Sequence, residues 1–389
     1  MRVFAMFLLL SLTFGCRTSG SSDLASKKEE EPVSEGWRFE LFYDQIEDYL
    51  KKFHDRRFPY SPNDLRGHFS FKPGSEFDLY GSVDMVYLLW VLDELEARTT
   101  PGGRQQWIEL IQAFQDPATG HFSMGNNTSH SVEHATAYAA GALKLLGGAP
   151  RHEFKWARQI FSSQQSVEAW LEDFNWFQIW KGSHAIGLAA AGLRNPELVS
   201  ADNRWSDWVV EGLTKRIYEP TGFWQRGVKV PLVDKPPTTI ALGGAAHFWW
   251  IYQCTNRPIP LPAKAIESTM SLQKRSGLWG NWIFNGDFPQ CVDIDATNGM
   301  RYGYRDLSDS EKARLRGPIL ESLERYFLAA KKALDKRGAI ADLYKTSHKL
   351  PGGILGLAEA NAFYKELTGR TKMQTPKQWR PVIPDVCWL

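Results

Sequence analysis

Acidic side chains near the starts of apolar stretches are the residues best suited to acid–base chemistry. Asp293 and Asp295 stand two positions apart in one such stretch, and Asp84 stands in another. Two carboxyl groups this close at the start of a buried helix would repel each other and raise the pKa of one of them. We expect Asp295 to act as a general acid, with Asp293 or Asp84 as the base or nucleophile. The structural alternatives are a cap or first-turn position for Asp84 and Asp293, and an arginine partner for Asp295.

Histidines near two other apolar stretches form a second set of candidates. His130, Glu133 and His134 have the i, i+3, i+4 spacing that places side chains on one helix face, provided that the helix has begun. That spacing suits metal ligation or a base oriented by an acid, although the polar residues 126–129 favour a loop at this point. His184 occupies the matching place in the next stretch. We expect His134 to be catalytic and His130, Glu133 and His184 to bind substrate.

Aromatic residues are abundant, with 16 tryptophans in the chain. Flat aromatic faces stack on sugar rings, so tryptophans in connectors or near helix starts are candidates for lining a substrate cleft. These are Trp176, Trp180, Trp224, Trp279 and Trp282. Others, such as Trp90 and Trp107, are expected to be core residues, as is His247, which lies inside an apolar run.

The elements that position these residues come from a repeat. Six stretches rich in small and apolar residues recur at 83–90, 134–143, 184–191, 239–246, 293–300 and 353–360. Their anchors at 84, 134, 184, 239, 293 and 353 are 50, 50, 55, 54 and 60 residues apart, which is enough for two helices and their loops. Most of these stretches are apolar on all sides, which is typical of fully buried helices.

Amphipathic helices are predicted between the buried ones. Phe42, Ile46, Tyr49 and Phe53 share one face, and later segments show the same spacing. Alternation of one-sided and fully apolar helices indicates an outer ring packed on an inner ring. The sequence therefore predicts an all-α chain, an (α/α)6 toroid of six helical hairpins, with residues 37–389 as a single domain.

The connectors carry a resemblance to known families. Gln115 and Gln273 each precede a turn glycine and then Phe122 or Trp279, which resembles the repeat of the terpenoid cyclase and protein prenyltransferase toroids. The stretch 292–297 is also similar to the Asp-x-Asp-Asp-Thr-Ala box of class II terpene cyclases, whose second aspartate, the proton donor, matches Asp295. Alanine stands in place of the third aspartate. The six-hairpin glycoside hydrolases and polysaccharide lyases resemble the chain in architecture.

The first 36 residues have the features of an export signal. A basic start and a short apolar run end at Cys16, in a sequence that resembles a bacterial lipobox. We expect a signal peptide over 1–15, a lipidated Cys16 with a flexible tether over 16–36, and a lipid anchor in the outer membrane facing the periplasm or the cell surface. Cys254, Cys291 and Cys387 allow one disulfide, whose pairing the spacing does not decide.

These residues are compatible with three functions. The leading interpretation is an exported enzyme that cleaves a glycan or another polymeric or small substrate, as a hydrolase, or as a lyase with His134 or Tyr138 as the base. The alternatives are an enzyme acting on an isoprenoid and a non-catalytic binding or scaffold protein. No metal or cofactor is expected. For Cys291, a disulfide with Cys387 is favoured over a zinc site like that of the prenyltransferases. The net charge of +2 excludes nucleic acid as a partner.

Overall fold

The computed structural model describes residues 37–124, 130–224, 237–280 and 287–389. The predicted signal peptide, Cys16, the tether and Trp282 lie outside the described residues. Residues Gly36–Leu389 form one compact unit.

The described part of the chain is helical almost throughout, so the prediction of an all-α chain is confirmed. The only strands in these ranges are two short ones, β1 (Trp37–Arg38) and β2 (Met373–Gln374), which pair in parallel. The α-helices are α1 (Glu40–Phe53), α2 (Leu79–Val91), α3 (Pro101–Gln112), α4 (Val132–Leu145), α5 (Ala157–Ile160), α6 (Gln164–Glu172), α7 (Ile179–Gly182), α8 (Gly187–Arg194), α9 (Trp205–Thr214), α10 (Thr239–Cys254), α11 (Pro262–Ser271), α12 (Cys291–Arg305), α13 (Asp309–Leu334), α14 (Ala339–Leu343), α15 (Lys349–Thr368) and α16 (Ile383–Val386). Two 3-10 turns are Ser183–Ile186 and Pro196–Leu198.

Six mostly buried helices contact one another in a closed cycle. In chain order they are α2, α4, α8, α10, α12 and α15; each packs against the next, and α15 packs back against α2. They carry the six small-residue stretches of the sequence. The segments between them pack against their own neighbours, as α1 does against α14 and α6 against α9. No helix in the described ranges is both long and apolar enough to cross a bilayer.

Side-chain caps fix where several of these buried helices begin. Asp78 caps α2 by accepting a hydrogen bond from the Gly81 N–H, 2.8 Å away. Ser131 caps α4 in the same way, so this helix begins at Val132 and His130 precedes it; the polar residues 126–129 lie outside the described residues. Because α2 begins at Leu79, Asp84 lies in its second turn. The expectation that Asp84 is a cap or first-turn residue is therefore wrong.

Close packing of α12 on α15 depends on glycines at the start of α15. A Cβ atom at Gly353 would lie 2.5 Å from the carbonyl oxygen of Pro289, and one at Gly352 would lie 2.9 Å from the Sγ of Cys291. Any larger side chain would push the two helix starts apart. The first turns of α12 and α15 are thereby held side by side.

A disulfide fastens the C-terminal segment to the end of α10. Cys254 bonds to Cys387, and α16 packs against α4 and α10. The preference for a Cys291–Cys387 bridge is therefore wrong, and Cys291 is a free thiol. The segment ends among the buried helices, where the Tyr87 hydroxyl donates to the Trp388 carbonyl, 3.1 Å away.

Candidate functional site

A cavity of about 440 Å³ opens among the starts of the buried helices. Its walls come from the starts of α4, α12 and α15, the 3-10 turn Ser183–Ile186 and one face of α10, together with the last residue, Leu389. The polar residues that line it are His130, His134, Gln178, Lys181, His184, His247, Gln290, Cys291, Asp295, Thr346, His348 and Lys349. The apolar lining includes Phe71, Trp180, Ile240, Val292 and Trp250.

Cys291 is the nucleophilic side chain of this cavity. It is the first residue of α12, where the backbone N–H groups have no partners within the helix and the helix dipole favours negative charge. Thiols at helix N-termini beside a protonated histidine are the reactive ones in proteins. His348, in the residue before α15, has a side-chain hydrogen bond with Cys291.

His348 also contacts an acid on a third element. Its Nδ1 lies 2.9 Å from the Oδ1 of Asp84. Since Nδ1 is engaged by Asp84, we infer that the Nε2 edge of the ring faces Cys291. Burial alone would lower the pKa of His348, but the charges of Cys291 and Asp84 and the hydrogen bonds to both outweigh it and raise the pKa to about 10.

Asp84 is held rigidly in the middle of α2. Its carboxylate is buried and accepts hydrogen bonds from the Tyr138 hydroxyl, 2.8 Å away, and from the Ser347 hydroxyl, in addition to His348. Each bond satisfies an oxygen lone pair that burial would otherwise leave unpaired. Asp84, His348 and Cys291 thus form a continuous chain of hydrogen-bonded side chains that ends at the cavity wall.

A hydrogen-bond donor without a partner lies beside the nucleophile. Gln290 precedes Cys291 and is 5% exposed, and its Nε2 has no hydrogen-bond partner among the described residues. A buried amide N–H costs free energy unless something accepts its hydrogen bond. The Nε2 atom is covered by protein and lies against Gly280, where a Cβ atom would come within 2.3 Å of it, so it does not reach the cavity. The backbone N–H groups at the start of α12 are the donors beside Cys291.

Three further histidines of the cavity lining converge on one another. His134, His184 and His247 each place a ring nitrogen within 4.8 Å of the others'. The Nδ1 of His134 lies 2.7 Å from the Tyr80 hydroxyl, and the Nδ1 of His247 lies 2.7 Å from the Ser183 hydroxyl. Burial is the largest effect on each and lowers all three pKa values, that of His184 to about 4.

The two predicted aspartates of α12 have separate environments. Asp293 is fully buried away from the cavity lining and accepts hydrogen bonds from the N–H groups of Trp279 and Gln290, 2.9 and 2.8 Å away. Asp293 therefore has the capping role that the structural alternative gave it. Asp295 lines the cavity, and burial, followed by the charges of Cys291 and Asp293, raises its pKa well above the usual range. Its expected arginine is engaged elsewhere, since Arg301 pairs with Glu359 and Glu366.

Several residues predicted to bind substrate lie outside the cavity lining. Trp176, Trp224 and Trp279 are buried, and their indole N–H groups donate to backbone carbonyls 2.7 to 2.9 Å away. Glu133 is half-buried in the first turn of α4 and is not part of the lining. His130 and His184 do line the cavity, as does Trp180 among the predicted tryptophans.

Sequence reasoning missed the residues that make this site distinctive. His348 and Gln290 were not candidates, His247 was assigned to the core, and Cys291 was treated as a disulfide partner. One signal was present in the sequence: Cys291 stands at the start of an apolar stretch, where thiols become reactive.

No protein-family model, curated protein or solved structure compared with the chain matches it.

Proposed function

We propose that the chain is a thiol-dependent acyl-transfer enzyme in which Cys291 is the nucleophile, His348 its base and acid, and Asp84 the residue that orients the histidine. The observation that carries this proposal is the chain of hydrogen bonds from Asp84 through His348 to Cys291 at the wall of a cavity. The same division of labour recurs on unrelated folds, and it is recognised from the roles and geometry of the three side chains.

The chemistry follows from the positions of these groups. The Cys291 sulfur attacks a carbonyl carbon, its proton having passed to His348, and a tetrahedral intermediate forms with negative charge on the oxygen. Backbone N–H groups at the start of α12 stabilise that oxygen. His348 then returns its proton to the departing amine, alcohol or thiol, leaving an acyl group on sulfur. Water or a second nucleophile, deprotonated by His348, removes the acyl group and regenerates the thiol.

Charge in the cavity favours an anionic group on the substrate. Lys181 and Lys349 line it, and neither has an ion pair with a described residue. Asp295 is the carboxyl side chain of the lining, and its raised pKa favours the neutral form. Trp180 and Trp250 offer apolar surface beside the two cations. We therefore propose an acyl substrate that carries a carboxylate or a similar anion next to an apolar portion.

The proposal extends to the fold and the location of the protein. The closed cycle of α2, α4, α8, α10, α12 and α15 supports an (α/α)6 toroid, related in architecture to the terpenoid cyclase and six-hairpin groups. The Cys254–Cys387 disulfide supports export, because disulfides persist in oxidising compartments. We propose that the protein is lipidated at Cys16 and faces the periplasm or the cell surface from the outer membrane.

A carbohydrate-cleaving enzyme is the second candidate. Asp295 supports it, because a neutral carboxyl group on the cavity wall can act as a general acid, and Trp180 and Trp250 can stack on sugar rings. The isoprenoid alternative would use the same acid. Neither the carbohydrate enzyme nor the isoprenoid enzyme would use the bond between His348 and Cys291. A non-catalytic binding protein would use none of these groups for chemistry.

The test is turnover of chromogenic esters, thioesters and amides by the full chain, each offered with a neutral and a carboxylated acyl group. We expect turnover that favours the carboxylated acyl group and is abolished by Cys291→Ala, with thermal melting showing that the variant is folded. Glycan cleavage that survives Cys291→Ala and is lost in Asp295→Asn would overturn the proposal in favour of the carbohydrate enzyme.

A further inference from the structure

The cavity that Cys291 lines also gathers three histidines, each with a ring nitrogen within 4.8 Å of the others. His134 comes from the first turn of α4, His184 from the 3-10 turn Ser183–Ile186, and His247 from the middle of α10. They are 4%, 6% and 4% exposed, and no carboxylate belongs to the group that the described residues form. Imidazole nitrogens that face one another with bare lone pairs repel unless a cation lies between them.

The hydrogen bonds behind the rings fix which nitrogen of His247 is free. The Ser183 hydroxyl lies 2.7 Å from the Nδ1 of His247 and donates its own hydrogen to the Trp180 carbonyl, 2.8 Å away. Because a serine hydroxyl has a single hydrogen, it must accept from Nδ1–H. The hydrogen of neutral His247 is therefore on Nδ1, and its Nε2 presents a bare lone pair.

A hydrogen bond also orients His134 from behind. Its Nδ1 lies 2.7 Å from the Tyr80 hydroxyl, and Tyr80 is fully buried. Partners of this kind, bonded to the nitrogen that points away from the metal, are the usual support of metal-binding histidines. His184 adds the third ring, 4.8 Å from His134 and 5.4 Å from His247 between ring centroids.

We propose that His134, His184 and His247 bind a divalent transition-metal ion of the zinc class. Three imidazoles and a fourth position open to the cavity are the ligand set that suits zinc in a site accessible to substrate. Zinc–nitrogen bonds of about 2.0–2.1 Å in a tetrahedral site require nitrogens about 3.3 Å apart, so binding draws the rings inward from their 4.8 Å limit.

The open position of the ion faces the cavity that Cys291 also lines. A water molecule or an anionic oxygen of a ligand would complete the coordination there. This inference is independent of the acyl-transfer proposal, because it rests on other side chains of the cavity.

The test uses the full chain without a polyhistidine tag, stripped with chelator and titrated with ZnCl2 and with CoCl2. We expect one equivalent to bind, and the cobalt form to show the intense visible bands of tetrahedral coordination without a sulfur-to-cobalt charge-transfer band. His184→Ala and His247→Gln should each weaken zinc binding by at least about 100-fold.

Two matched controls make the result specific. His130→Ala removes a histidine of the same cavity that is outside the set, and Cys291→Ser removes the only thiol of the described part of the chain. Both should bind zinc as the wild type does. The inference is overturned if the chain shows no saturable zinc binding, if folded His184→Ala and His247→Gln bind zinc normally, or if Cys291→Ser abolishes binding.

Discussion

Substituting Asp84 by asparagine should slow alkylation of Cys291 without unfolding the protein. The introduced amide keeps the size of the carboxylate. Its oxygen can take the place of Oδ2 and accept from the Ser347 hydroxyl, and its NH2 group then takes the place of Oδ1, beside the Tyr138 hydroxyl and His348. That NH2 group would donate to the Nδ1 of His348. The hydrogen of a neutral imidazole would then be on Nε2, the edge that faces Cys291, where it cannot take up the thiol proton.

The magnitude follows from the bond that is lost. A hydrogen bond to a charged group contributes about 1.5–3 kcal/mol, and each 1.4 kcal/mol is a factor of ten, so the thiolate population and the alkylation rate should fall about 10- to 150-fold. The assay is the second-order rate of iodoacetamide labelling at the Cys291 peptide, measured by mass spectrometry at neutral pH. Thermal melting checks that the variant remains folded.

A matched control lies in the same helix. Asp78→Asn makes the same chemical change at the N-cap of α2, where the asparagine oxygen can still cap the Gly81 N–H although the bond from the Phe71 N–H is lost. Its labelling rate should equal that of the wild type. If folded Asp84→Asn also labels at the wild-type rate, Asp84 does not orient His348 and the reasoning is refuted.

Three further predictions concern stability and packing. Replacing both Cys254 and Cys387 by serine should lower the free energy of unfolding by about 2 to 5 kcal/mol, because the bond joins residues 133 positions apart. Denaturant unfolding measures this free energy. Asp295→Asn should raise the urea midpoint at neutral pH, because the folded state keeps a proton on Asp295 that the unfolded state loses above about pH 4. Gly352→Ala should cost about 1–3 kcal/mol and slow labelling of Cys291, because the added methyl group would lie 2.9 Å from its sulfur.

Each of these has an outcome that contradicts it. An unchanged unfolding free energy in the double serine variant would mean that the C-terminal segment is held without its disulfide. A urea midpoint of Asp295→Asn that falls below the wild type at neutral pH would show that the charged carboxylate is stabilising. Gly317→Ala in α13, where a Cβ would meet open space, is the control for Gly352→Ala and should cause no loss.

Local patterns were enough to predict the helices but not the site. The small-residue stretches are short-range features, so the buried helices follow from the sequence alone. His134 and His184 were found because they mark the starts of two such stretches. These signals depend on residues within a few turns of one another.

The central contact of the site is long-range. Asp84 and His348 are 264 positions apart, and they meet only because α15 packs back against α2. His247 shows the same limit: α10 is apolar on nearly all sides, so a histidine in it suggests a core residue, and its Ser183 partner is 64 positions away. His247 also meets His134 and His184 only in the folded chain, so the sequence does not show that these three histidines come together.

The most direct test of the proposed function is to trap the acyl group on the enzyme. The full chain is mixed briefly with a p-nitrophenyl ester that carries a carboxylated acyl group, quenched in acid, digested and mapped by mass spectrometry. The proposal predicts one acyl group on the Cys291 peptide in the wild type and its loss in folded His348→Ala. Acylation at another residue, or equal acylation of Cys291 without His348, would contradict it.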